Sequence, residues 1–109
     1  MICIEMSQKS GVYTLETQGH AEYAEPGKDI VCAAVSILVF TLIESIDERD
    51  LSEPSVIEQE SGKVLVRVKP KQSTEGKIRA VFEVIKNGFL LLEKNYKKNI
   101  NFLCVGVRE

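Results

Sequence analysis

The sequence predicts an α+β fold of two layers, a mainly antiparallel sheet with two helices on one face, in the order ββαββαβ. Three observations carry this. Short segments of alternating polarity come in pairs around polar, glycine-containing turns; Ile30 to Ile46 is apolar on almost every side; and from Thr74 to Tyr96 apolar residues recur every three or four positions. At 109 residues and 44% hydrophobic composition, the chain is expected to form a single domain, residues 1–109, around one core.

Met1 to Met6 and Gly11 to Thr17 read as the first strands, with Ser7-Gln8-Lys9-Ser10-Gly11 as the turn between them. The second strand runs out at Gln18-Gly19, which leaves His20 where strand gives way to loop, a setting that often carries functional groups. Pro26-Gly27 marks a chain reversal, and Asp29, directly before the long apolar segment, is a candidate N-cap. The length of that segment favours a buried helix over a strand despite its β-branched residues. Val56 to Gln59 and Lys63 to Lys69 flank Ser61-Gly62 as a second hairpin, which Pro70 ends. Ile78, Val81, Phe82, Ile85, Phe89, Leu92 and Tyr96 form the stripe of an amphipathic helix, expected to pack on the sheet. Ile100 to Val107 reads as a final strand.

Charge and cysteine usage exclude several classes of function. Fourteen Lys and Arg against sixteen Asp and Glu give a net charge of −2, without the basic footprint of phosphate-backbone binding, so no direct nucleic-acid partner is expected. The longest apolar run, Ile30 to Ile43, is interrupted by Ser36 and Thr41 and falls short of the roughly 18 residues of a membrane span. No secretory leader pattern is seen at Met1 to Ser7, and no membrane association is expected. Cys3, Cys32 and Cys104 are odd in number and scattered, with no CxxC pair. That argues against a disulfide framework or a zinc finger and fits the reduced thiols of a cytoplasm. Cys3 and Cys104 lie in apolar, strand-like surroundings and are expected to be small buried hydrophobes.

His20 and Cys32 are the residues with chemistry to offer. If Asp29 caps the helix, Ile30, Val31 and Cys32 form its first turn, where free N–H groups and the helix dipole stabilise a thiolate. A nearby His20 imidazole would favour the thiolate further, and the N–H groups around Cys32 and Ala33 could donate to the oxyanion of a tetrahedral intermediate. Asp29 would orient the imidazole or merely cap the helix. Ser36, four residues after Cys32, lies on the same helix face one turn on. Glu22, Glu25 and Asp29 oppose this by placing negative charge near the thiol. The bland alternatives are a buried cysteine, a solvated acidic loop, and a Ser36 hydroxyl bonded to the preceding turn. Zinc would need a third ligand that no spacing marks, so neither a metal nor a cofactor is expected.

Gly19-His20-Ala21, an acidic step from Glu22 through Gly27, and the unbroken Asp29-Ile30-Val31-Cys32-Ala33-Ala34-Val35-Ser36 together resemble the ribosomal-processing cysteine protease family, called Prp. The resemblance implies a bacterial cytoplasmic endopeptidase. Such an enzyme removes the short N-terminal extension of a large-subunit ribosomal protein, the one numbered twenty-seven, during ribosome assembly. It implies Cys32 as nucleophile, His20 as base, and Asp29 and Ser36 as supporting residues. It further implies a substrate lid made of Ala21, Glu22, Tyr23, Ala24, Glu25, Pro26, Gly27 and Lys28, a homodimer, and a peptide groove that takes aromatic residues. A non-catalytic ribosome-assembly binding factor is the alternative, and a thiol redox or zinc protein stands third.

Overall fold

The computed structural model describes residues 1–25 and 27–105. Its elements are β1 (Ile2–Lys9), β2 (Val12–Gly19), α1 (Ile30–Glu44), β3 (Val56–Glu60), β4 (Lys63–Val68), α2 (Glu75–Asn95) and β5 (Ile100–Val105). One 3-10 turn, Glu48–Asp50, follows α1, and another, Gln72–Thr74, leads into α2. The order ββαββαβ is as expected. Val107, the expected end of the last strand, lies outside the described residues.

β1 and β2 pair antiparallel from Ile2↔Gly19 to Lys9↔Val12, so the five-residue turn expected between them shrinks to Ser10-Gly11. Both turn residues have positive φ, 52° and 79°, which is what a two-residue hairpin matched to the right-handed strand twist requires. Ser7, Gln8 and Lys9 therefore extend the strand. The full sheet runs β3-β4-β2-β1-β5, antiparallel throughout except for the parallel pair of β1 with β5.

The period-two alternation of the strands decides what is buried. Ile2, Ile4 and Met6 of β1, Tyr13 and Leu15 of β2, and Val66 and Val68 of β4 face the helices and are buried, as are Val31, Val35, Val39 and Leu42 of α1. Ile78, Phe82, Ile85 and Phe89 of α2 close the core, and Val81 packs partly buried against it. At Gly88 the helices come close enough that an added Cβ would lie 2.7 Å from Leu38 Cδ2.

The two cysteines expected in the core are not there. Cys3 and Cys104 are both exposed. Cys3 alternates with Ile2 and Ile4 and so stands on the sheet's open face, paired in register with Asn101. Cys104 pairs with Met6 on the helix side, but β5 is an edge strand and gives it incomplete cover. That partial burial pushes its thiol pKa up; nearby Lys86 works against the rise.

Candidate active site

The site is built where β2 hands over to α1. Gly19 has φ +98°, and a Cβ there would meet the Met1 carbonyl oxygen at 2.4 Å, so the position before His20 admits only glycine. Its N–H donates to the Gly62 carbonyl oxygen at 2.8 Å, tying the end of β2 to the tip of the β3–β4 hairpin. His20 follows, exposed, with its imidazole against that tip: a Cβ on Gly62 would lie 3.0 Å from Nε2.

Asp29 is the N-cap of α1 and does more than cap. Its Oδ1 accepts from the Val31 and Cys32 N–H groups at 2.9 and 3.0 Å, while Oδ2 accepts from the N–H groups of Tyr23 and Ala24 at 2.9 and 3.3 Å. Partial burial works to raise its pKa. The backbone donors outweigh that and hold the carboxyl below its usual 3.8. All these partners are backbone groups, so Asp29 acts here as a cap and a loop clamp, with no hydrogen bond to the imidazole.

Cys32 lies in the first turn of α1, half-buried, and its Sγ accepts from the Ala21 N–H at 3.4 Å. The expected oxyanion donors are committed elsewhere: the Cys32 N–H to Asp29 Oδ1, and the Ala33 N–H to the Asp29 carbonyl at 3.1 Å. The capping carboxylate takes the Cys32 N–H, and the Ala33 N–H makes the first backbone bond of the helix, so neither is free to bind an anion.

Two cavities flank the thiol. One of about 510 Å³ is lined by His20, Glu22, Ala24, Gly27, Asp29, Cys32, Ala33 and Ser36. The other, about 240 Å³, shares His20, Cys32 and Ser36 and adds Thr17, Val35, Glu60, Gly62, Lys63 and Val64 among its walls. His20, Cys32 and Ser36 thus line both cavities, and Asp29 only the larger of the two.

Of the expected lid, Ala21 is buried, while Glu22, Tyr23, Ala24, Glu25, Gly27 and Lys28 are exposed; Pro26 lies outside the described residues. Glu22 has φ +58°, an uncommon conformation for a residue with a side chain. The Tyr23 ring meets Tyr96 edge-on at 5.6 Å, and Asn99 Nδ2 donates to the Ala21 carbonyl at 2.9 Å. Sequence reasoning missed Gly62 and Asn99, although the Ser61-Gly62 turn signal had placed a hairpin tip. Among the described residues, no group of three or more His, Cys, Asp or Glu is arranged to hold a metal ion. No helix among them is long and apolar enough to cross a membrane.

A free thiol at a capped helix start, sharing its cavities with the chain's one histidine, is an arrangement suited to a thiol hydrolase. The family model described as "Cysteine protease Prp" matches residues 1–101, and the chain belongs to that family: it is a cysteine protease. It is 29% identical over 101 residues, 89% of each chain, to the "Ribosomal processing cysteine protease Prp" of Bacillus subtilis (strain 168). Its fold is similar to that of an "Essential Ribosomal Processing Protease Prp" from S. aureus solved with a covalently linked product peptide. That match has a TM-score of 0.79 at 23% identity, over 95% of this chain and 99% of that one. A Streptococcus mutans protein of known structure matches with a TM-score of 0.71 at 24% identity, over 97% and 95%.

Proposed function

We propose that this chain works as one domain, residues 1–109, and as a cytoplasmic endopeptidase acting on an N-terminal peptide of a ribosomal protein. The substrate is the short extension of the large-subunit protein numbered twenty-seven, removed during ribosome assembly. The observation that carries this reading is the position of Cys32, in the first turn of α1, lining two cavities that His20 and Ser36 also line. The names of the B. subtilis and S. aureus relatives support ribosomal processing. A homodimer is part of the same proposal, supported by exposed Ile30, Ile37 and Phe40 along α1.

In the reaction, His20 takes the thiol proton and Cys32 Sγ attacks the scissile carbonyl carbon. The tetrahedral intermediate collapses as His20 returns the proton to the departing amine, leaving a thioester on Cys32. Water, deprotonated by His20, then hydrolyses the thioester, which releases the acid and restores the thiol. For the Cys32 N–H to serve the oxyanion, Asp29 Oδ1 must first yield it. Residues Ala21 to Lys28 act as the lid, and Ser36 supports the thiol from the next turn. The two cavities receive the peptide on either side of the cut.

The test is mass spectrometry of a peptide carrying the extension. Wild type cuts it at one position. Cys32→Ala abolishes cleavage and His20→Ala lowers kcat by about 10²- to 10⁴-fold, while both variants still fold and bind the peptide. Ser36→Ala has the smaller effect. Undiminished cleavage by Cys32→Ala defeats the proposal, and binding without cleavage by wild type replaces it with a non-catalytic assembly factor.

A further inference from the structure

Asn99 stands in the corner between α2 and β5, fastened by its own backbone: its N–H donates to the Tyr96 carbonyl at 2.9 Å, and its carbonyl accepts the Ile2 N–H at 2.9 Å. Its side-chain amide, only partly buried, reaches a residue 78 positions earlier in the chain, donating to the Ala21 carbonyl at 2.9 Å. Ala21 is 1% exposed, so its methyl group is held in the core as well. The same residue directs its N–H at Cys32 Sγ. Ala21 is therefore fixed on both of its peptide planes, one by Asn99 and one at the thiol. The N–H plane is the peptide that joins it to His20.

We propose that Asn99 is a positioning residue for the Cys32–His20 pair, acting through the Ala21 backbone that it holds. This rests on the reading of Cys32 as nucleophile and His20 as base. A thiol is a weak acceptor and a thiolate a strong one, so an N–H held toward Sγ favours the charged form. Only a donor of the right length can hold the Ala21 carbonyl. Asparagine supplies it, an aspartate carboxylate would repel the carbonyl, and alanine would leave it unpaired. Histidine places Nδ1 as far from Cα as the asparagine amide nitrogen and can restore the donor.

The experiment uses the full chain as wild type, Asn99→Ala, Asn99→Asp and Asn99→His. Iodoacetamide alkylation is followed over a range of pH by peptide mapping, with exposed Cys3 as the internal reference thiol. Peptide cleavage is measured in parallel. Asn99→Ala and Asn99→Asp are expected to slow Cys32 relative to Cys3 by about three- to tenfold at neutral pH, the worth of one hydrogen bond. In both, kcat should be lowered more than KM is raised, and Asn99→His should recover the wild-type ratio. An unchanged Cys32-to-Cys3 ratio in folded Asn99→Asp, or no recovery in Asn99→His, overturns the assignment. Should the alanine and aspartate variants fail to fold, Asn99→Ser, too short to reach the Ala21 carbonyl, takes their place in the same ratio test. If wild type cleaves while the ratio does not move, only the role of Asn99 falls; if wild type does not cleave, the nucleophile reading falls with it.

Discussion

His20 is supported by a residue that has no side chain. Gly62 has φ +74° and any Cβ there would sit 3.0 Å from the imidazole; Gly11, at the tip of the other hairpin, has φ +79° and open space around it. The pair forms a matched control. Gly62→Ala and Gly11→Ala should lose similar stability, about 1–2 kcal/mol for an L-residue forced left-handed, but only Gly62→Ala should lower kcat, by about tenfold or more as the imidazole is displaced. Equal activity in the two variants would show that the Gly62 contact is without catalytic weight. At Asp29, Asn keeps an oxygen for the Val31 and Cys32 N–H groups and turns an NH2 toward those of Tyr23 and Ala24. Asp29→Asn should therefore keep the helix start and loosen the loop, read as faster limited proteolysis within residues 21–25 at an almost unchanged Tm. What was legible at this scale was local: the cap at Asp29, the first-turn position of Cys32, and the one-turn spacing to Ser36 all follow from helix geometry. Gly62 and Asn99 act across the fold, through contacts that no spacing encodes. The exposure of Cys3 was legible and overlooked, since in Ile2-Cys3-Ile4-Glu5-Met6 the alternation puts the thiol on the same face as Glu5.

Among the elements, the loop from His20 to Asp29 has the clearest dependence on acidity. The Asp29 carboxyl is held below its usual 3.8, so the stability it contributes is fully present above about that pH and is lost as the pH falls through the lower, folded value. Amide exchange at Tyr23 and Ala24 should lose protection in that acid window before the strands do. Retained protection there, down to the point of global unfolding, would mean that the carboxylate does not hold the loop. A second test lies between the helices. Gly88→Val drives two methyl groups toward Leu38, and overpacking of this kind costs about 1–3 kcal/mol; urea unfolding should detect it. The strands and α2 were legible from their different periods, and α1, apolar on almost every side, from its length. The first turn was not, because Ser7, Gln8 and Lys9 are polar residues that serve equally in a turn or on a solvated strand, and only the two positive φ values at Ser10 and Gly11 settle the register.

For the molecule as a whole, both helices leave large apolar side chains uncovered. Ile37 and Phe40 of α1 are 61% and 48% exposed, and Val84 and Leu91 of α2 are 68% and 61% exposed, side chains of the kind that protein interfaces bury. In the proposed homodimer a second copy covers them. Phe40→Glu together with Leu91→Glu should shift sedimentation from dimer to monomer while leaving the far-ultraviolet circular dichroism intact. A wild-type chain that sediments as a monomer at all concentrations would remove the dimer from the proposal. The parallel pairing of β5 with β1 has a further consequence, for the order in which the chain becomes competent. Residues 19–36 leave the ribosome before Asn99 and the strand that follows it, and until those dock beside β1 the Ala21 carbonyl lacks the Asn99 amide. With the roles proposed for Cys32 and Asn99, a chain not yet extended past Asn99 therefore carries its thiol without that support, which delays proteolytic competence until β5 has docked.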